Sequence, residues 1–175
     1  PQVAAKLDLS AVRRLLDLGG GPATYAINFA QANPQLQVTV FDLPMPIEIA
    51  KENIGKNGLT DRVGTLAGNF LQDDIGTGYD FIWVSQILHS HDEEQSKFII
   101  AKAVAALAPG GTLAIQDFYL NPDGASPTGA AMFGVHMLAV TPQGRAYKHA
   151  EVAEWMQAAG LAAPEFIESG MDASI

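Results

Sequence analysis

Leu15-Leu16-Asp17-Leu18-Gly19-Gly20-Gly21-Pro22 carries an apolar run into an acidic residue and a glycine cluster, and an Ala-rich, helix-prone stretch follows through Ala32. This reads as a buried strand, a tight turn and the first turn of a helix. In an open α/β sheet, ligands gather at the carboxyl ends of strands, beside turns of this kind. Glycine permits positive φ there and lets a ligand approach the backbone. Proline at the first helical turn costs no hydrogen bond. The free N–H groups and positive dipole end of the helix point to the site. The turn suits a nucleotide-like cofactor.

The spacing departs from the dinucleotide fingerprint. A G-x-G-x-x-G pattern from Gly19 wants glycine where Thr24 stands, and one from Gly21 wants it where Ala26 stands. A glycine cluster alone is weak support, because many strand-to-helix turns are simply tight. A second element strengthens it. Val38-Thr39-Val40-Phe41-Asp42-Leu43-Pro44 is a β-branched strand ending in an acid about 20 residues after the glycines, the distance at which such folds place a carboxylate on a ribose. One carboxylate can accept hydrogen bonds from both ribose hydroxyls.

A chain of 175 residues suits one domain with a substantial core. Its hydrophobic content of 48% and mean hydropathy of +0.11 fit a globular protein, and no apolar run approaches a membrane span or signal peptide. Cysteine is absent, which removes disulfides, thiolate catalysis and Cys-based zinc sites and is compatible with the cytoplasm. A net charge of −9 with scattered basic residues argues against a nucleic-acid partner.

In chain order, Pro1 to Leu9 reads as the end of a helix. Thr24 to Ala32 places Ala26, Ile27, Phe29 and Ala30 on one helical face, and Asn33-Pro34 ends it. Gln37 to Phe41 is strand two. Pro44 and Pro46 introduce a helix through Lys56, closed by Asn57-Gly58. Val63 to Ala67 is strand three. Tyr79 to Ser85 is a continuous apolar strand suited to the sheet centre. Asp92-Glu93-Glu94 opens a helix ending near Leu107, and Pro109-Gly110-Gly111 turns into strand five, Thr112 to Phe118. A Gly/Pro/Ser/Asn loop spans Tyr119 to Thr128, before the Met-rich segment Met132 to Leu138. A helix from His149 to Ala159 stops at Gly160, Glu165-Phe166-Ile167 is a sixth strand, and Ala173-Ser174-Ile175 reads as a strand just begun. Alternating strands and helices imply an α/β, Rossmann-like, doubly wound and mostly parallel sheet. Both ends suggest a piece of a longer protein.

Taken together, Asp17-Leu18-Gly19-Gly20-Gly21-Pro22, Phe41-Asp42-Leu43-Pro44 and Pro109-Gly110-Gly111-Thr112-Leu113 resemble the motifs of class I S-adenosylmethionine-dependent methyltransferases. The resemblance is to the caffeic acid, isoflavone and hydroxyindole O-methyltransferases and their bacterial relatives, and runs from about Leu15 to Ile175. Leu88-His89-Ser90-His91-Asp92-Glu93-Glu94 is similar to that family's catalytic run after strand four. The resemblance implies His89 as the general base taking a proton from a substrate hydroxyl, and Asp117 as the acid that orients it. An imidazole titrates in the range where it can accept the proton of a phenol. The resemblance further implies S-adenosylmethionine as cofactor, held by Asp17, Gly19, Gly20, Gly21, Asp42, Leu43, Asn69, Phe70 and Ser85. Met132, His136 and Met137 would line the acceptor pocket, while Phe133 and Leu138 read as ordinary helix packing. His89 and His91 make a poor metal pair without a carboxylate cluster, although Asp92 is near, and no metal is expected. His91 reads as a packing replacement for the family's tryptophan.

The pattern breaks in places. Ala23 replaces a glycine, Asn69 an aspartate at the adenine, Ser85 a lysine of the plant enzymes, and Ala146 a second acid beside the base. Residues 1–175 are thus expected to form a cofactor-binding catalytic domain without the family's N-terminal dimerisation domain. The expected acceptor is a small hydroxylated, aromatic molecule, and the expected setting is a cytoplasmic homodimer in the full-length protein. A non-catalytic S-adenosylmethionine-binding domain, an NAD-dependent oxidoreductase, and N- or C-methylation remain as alternatives.

Overall fold

The computed structural model describes residues 6–170 and 173–175. It divides into two compact units, one of residues 1–85 and 105–114 and the other of residues 86–104 and 115–175.

The first unit holds β1 (Arg14–Leu18), α1 (Thr24–Ala32), β2 (Gln37–Asp42), α2 (Pro44–Lys56), β3 (Val63–Ala67), β4 (Tyr79–Ser85) and most of β5 (Leu107–Gln116). The sheet runs β3-β2-β1-β4-β5, and the pairings of β1 with β2 and β4 and of β2 with β3 are all parallel. The strand order reverses at β1. The chain builds outward to β3 and returns to the other side of β1, so the ends of β1 and β4 flank the switch point where such sheets bind ligands. Leu15, Leu16 and Leu18 of β1 and Ile82, Trp83 and Val84 of β4 are buried, as continuous apolar strands of a parallel sheet should be. Helix α1 buries the expected Ala26, Ile27, Phe29 and Ala30. The Phe29 ring meets Trp83 edge-on, centroids 5.5 Å apart. Helix α2 ends in a Schellman motif: Gly58, at φ 66°, donates to the Gly55 carbonyl and Leu59 to that of Ile54.

Two expectations for this unit change. Of the helix expected over Pro1 to Leu9, residues 1–5 lie outside the described residues, and residues 6–9 form a bend. There the Asp8 carboxylate accepts the Ser10 N–H, competing with helical bonding. Strand β5 begins at Leu107, directly after the preceding helix, rather than at Thr112. Sheet pairing draws the Pro-Gly-Gly run into the strand. This edge position tolerates proline, Gly110 takes φ 79°, and a Cβ on Gly111 would meet the Tyr79 carbonyl oxygen at 2.9 Å.

The second unit contains a 3-10 turn (Leu88–Ser90), most of α3 (Glu93–Ala106), the end of β5, β6 (Tyr119–Leu120), α4 (Thr128–Val140), β7 (Tyr147–Lys148), α5 (His149–Ala158), β8 (Glu168–Gly170) and β9 (Ala173–Ser174). Asp92 caps α3, its carboxylate accepting the Gln95 N–H at 2.8 Å. Strand β6 pairs with β7 in parallel, and β8 with β9 antiparallel. The strand expected at Glu165–Ile167 forms three residues later, at Glu168. Pro164 removes one ladder donor, and Phe166 is half-exposed, its ring packed on His149 with centroids 4.4 Å apart. The β-strand begun at Ala173 is present.

Candidate active site

In the first unit the glycine turn is held largely by its own backbone donors. The N–H groups of Gly19 and Gly20 both donate to the Phe41 carbonyl (2.8 and 3.3 Å), and Ala23 donates to that of Gly20 (3.0 Å). Gly21 donates to Asp42 Oδ2 at 2.7 Å, while Asp42 Oδ1 accepts the Leu43 N–H at 2.6 Å. Gly19 and Gly21 have φ of 73° and 51°, the left-handed region that glycine enters freely. A side chain on Gly21 would meet nothing within 4 Å, so the turn opens to free space there. Ala23 is also left-handed, φ 66°, and fully buried. The alanine flagged by the sequence thus holds a conformation costing an L-residue about 1–2 kcal/mol.

Asp17 lies beneath this turn, 1% exposed, and its Oδ2 accepts the Ala26 N–H at 3.1 Å. A Cβ on Gly20 would fall 2.7 Å from Asp17 Cγ, so the bare glycine backbone is what lets the carboxylate pack under the turn. Burial pushes the Asp17 carboxyl up to about 7, opposed by the Ala26 hydrogen bond and reinforced by the negative charge of Asp42. Asp17, expected among the cofactor residues, braces the turn from beneath. Leu43 is half-exposed. Asn69 Oδ1 accepts the Leu71 N–H and its own N–H donates to Asp73, folding the loop after β3. Phe70 and Ser85 are partly exposed.

In the second unit His89 and Asp117 meet. His89 Nδ1 lies 2.7 Å from Asp117 Oδ1, with both residues buried, at 7% and 3% exposed. Asp117 Oδ2 accepts the His89 backbone N–H (3.3 Å), and Oδ1 also accepts that of Phe118 (2.8 Å). The carboxylate therefore fixes both the ring and the chain of His89. With Nδ1–H donating to Asp117, Nε2 is the nitrogen left to take a proton. The Asp117 backbone is paired in both directions with Ser174, which explains how an acid beyond the end of β5 is held so firmly. His91 serves the local fold: its Nδ1 lies 2.9 Å from the Ile87 carbonyl. No metal-binding cluster exists among the described residues.

The acceptor-pocket candidates separate by helical phase. On α4, Met132 is 65% exposed and His136, four residues on, is exposed too. Met137 is 7% exposed, on the buried side of the helix. Phe133, expected only to pack, reaches the candidate base: its ring meets His89 at 88°, centroids 4.7 Å apart, and lies 4.2 Å from that of Phe118. Leu138, also expected to pack, is 67% exposed. Ala146 lies against Gly134 of α4, so no acid stands at that position. Helix α4 is apolar all round, and no periodicity in the sequence tells these faces apart.

Comparison with known proteins places the chain in a family. Residues 1–162 match the model of the O-methyltransferase domain, and the chain belongs to that family. It is 40% identical over 159 residues to a 3-hydroxy-5-methyl-1-naphthoate 3-O-methyltransferase of Streptomyces sahachiroi, covering 91% of this chain and 46% of that one. It is 33% identical over 138 residues to an L-tyrosine C(3)-methyltransferase of Streptomyces lavendulae, covering 79% of this chain and 38% of that one. The crystal structure of an O-methyltransferase family 2 protein from Planctomyces limnophilus in complex with apigenin superposes with a TM-score of 0.93 at 30% identity, covering 99% of this chain and 55% of that one. The chain spans about half the length of these relatives or less.

Proposed function

We propose that this chain is the catalytic domain of an S-adenosylmethionine-dependent O-methyltransferase acting on a small hydroxylated aromatic molecule, with His89 as general base. The observation that carries the reading is the buried His89–Asp117 pair at 2.7 Å. Asp117 holds the imidazole tautomer and offsets the charge of the imidazolium once Nε2 has taken the substrate proton. Bound S-adenosylmethionine would supply an activated methyl group, leaving the protein to align the acceptor oxygen and take up its proton.

The cradle in the first unit fits that cofactor better than a dinucleotide. A pyrophosphate needs free N–H donors at the start of the helix. Here the N–H groups of Gly19, Gly20, Gly21 and Ala23 are spent on protein acceptors, and Asp42 lies within the turn. An adenosyl ligand with a ribose diol and a positive centre suits this acidic setting. Gly19, Gly20, Gly21, Asp42, Leu43, Asn69, Phe70 and Ser85 would hold it, with Asp17 bracing the turn. Met132, His136 and Met137 remain the proposed acceptor contacts, joined by Phe133.

The named chemistry of two relatives supports a phenol-bearing aromatic acceptor, and the tyrosine C(3)-methyltransferase keeps ring-carbon transfer as the second reading. The same reading places the full-length protein in the cytoplasm as a homodimer. No described helix is long and apolar enough to cross a membrane, and in support of the homodimer α4 exposes Met132, Val135 and Leu138.

The test uses the full-length protein. Calorimetric titration should show saturable S-adenosylmethionine and S-adenosylhomocysteine binding and none of NAD. Transfer to 3-hydroxy-1-naphthoate and to L-tyrosine is detected by mass spectrometry, and NMR of the product, which separates an O-methyl from a ring C-methyl group, distinguishes oxygen from carbon as the acceptor. His89→Ala should abolish transfer and leave cofactor affinity unchanged. NAD binding alone would sink the reading.

A further inference from the structure

Behind the 3-10 turn that carries His89 lies the segment between α4 and β7. Helix α4 ends at Thr141, whose hydroxyl donates to the Met137 carbonyl at 2.8 Å and accepts the Gly144 N–H at 2.7 Å. Gly144 is buried. A Cβ built on it would collide with the His89 carbonyl oxygen and Thr141 Oγ1, and lie 3.3 Å from Ser90 Cα. Its φ is not left-handed, so glycine is required here by lack of room rather than by conformation. Three residues on, the Tyr147 hydroxyl donates to the His91 carbonyl at 2.7 Å. The segment thus touches the turn at both ends of His89-Ser90-His91.

We infer that Gly144, held in place by the Thr141 hydroxyl, is a positioning residue for the catalytic base: its bare backbone forms the seat on which the His89 main chain rests while Asp117 holds the ring. The inference rests on the reading of His89 as base. The two contacts act on different parts of one residue. Asp117 fixes Nδ1 and the backbone N–H from one side, and Gly144 bounds the carbonyl from another. A methyl group at residue 144 pushes the His89 carbonyl away and strains the 2.7 Å ring contact. Loss of the Thr141 hydroxyl frees Gly144 to move and leaves its N–H unpaired. A displacement near 1 Å at a catalytic group costs about 10²-fold in rate.

The experiment follows the His89 Nδ1–H proton by low-field NMR in the full-length protein, assigned by its loss in His89→Gln. This readout needs neither cofactor nor acceptor. The parent and Thr141→Ser, which keeps the hydroxyl, are expected to show the resonance in one place. Gly144→Ala and Thr141→Val are expected to shift or lose it while melting stays cooperative. Should Gly144→Ala fail to fold, Thr141→Val decides on the same signal. With 3-hydroxy-1-naphthoate as acceptor, both variants are expected to lower kcat and leave the cofactor KM unchanged. A parent spectrum without the resonance, or a resonance in place in both variants, overturns the inference. Absence of transfer by the parent counts against the functional reading alone, because the NMR signal still reports the seat.

Discussion

Asp17 makes stability depend on pH in a direction opposite to most carboxylates. Its carboxyl is raised from 3.8 to about 7 in the folded chain, chiefly by burial. The folded state therefore binds this proton more tightly than the unfolded one. Stability is greatest below the unfolded pKa, falls as pH rises between the two values, and levels off once the folded carboxyl has ionised. A shift of about three units corresponds to about 4 kcal/mol over the full range, and about 3 kcal/mol of it falls between about pH 5 and pH 8. Asp17→Asn keeps an oxygen for the Ala26 N–H and removes the charge. Urea denaturation of both proteins across that pH interval isolates the Asp17 contribution as the difference between the two curves. The variant buries an unpaired amide N–H at every pH, and the parent is expected to lose stability relative to it as pH rises, so the substitution costs most at low pH, where the parent carboxyl is neutral. Parallel curves would refute the assignment of a costly buried carboxylate beneath the turn.

Two further outcomes are expected. Asp117→Asn should lower kcat by about 10²-fold or more, since the amide neither fixes the tautomer nor offsets the imidazolium; single-turnover methyl transfer measures this, and cofactor affinity should stay constant. Gly58→Ala meets no neighbour within 4 Å but must hold φ 66°, so urea denaturation should report a loss of about 1 kcal/mol from the end of α2 with no change in transfer.

Where local chemistry decides structure, the sequence was readable. The Asp17-to-Pro22 turn, the strand ending at Asp42 and the Asn57-Gly58 stop each use residues whose backbone preference agrees with the sheet around them. The His89–Asp117 pairing was legible only through resemblance, because the residues are 28 apart and nothing local joins them. What stayed hidden depends on distant contacts. Pairing in the sheet overrode the Pro109-Gly110-Gly111 turn signal. Helix α4 gave no face to read, so the contact of Phe133 with His89 and the burial of Met137 were not legible. Gly144 looks like any loop glycine until the His89 carbonyl is seen against it.

Strands β1 and β4 set Asp17 and Trp83 in register, and each residue carries a buried polar atom with no hydrogen-bond partner, Oδ1 on one and Nε1 on the other. An indole's emission responds to charge nearby, so Trp83 fluorescence is expected to shift with pH as the Asp17 carboxyl ionises, and to lose that dependence in Asp17→Asn. The chain's other tryptophan, Trp155, sits in a different setting, 5.0 Å from the Tyr147 ring with the Lys97 ammonium 5.6 Å from its own. The strand beside the glycine turn thereby carries its own fluorophore, with no label to attach.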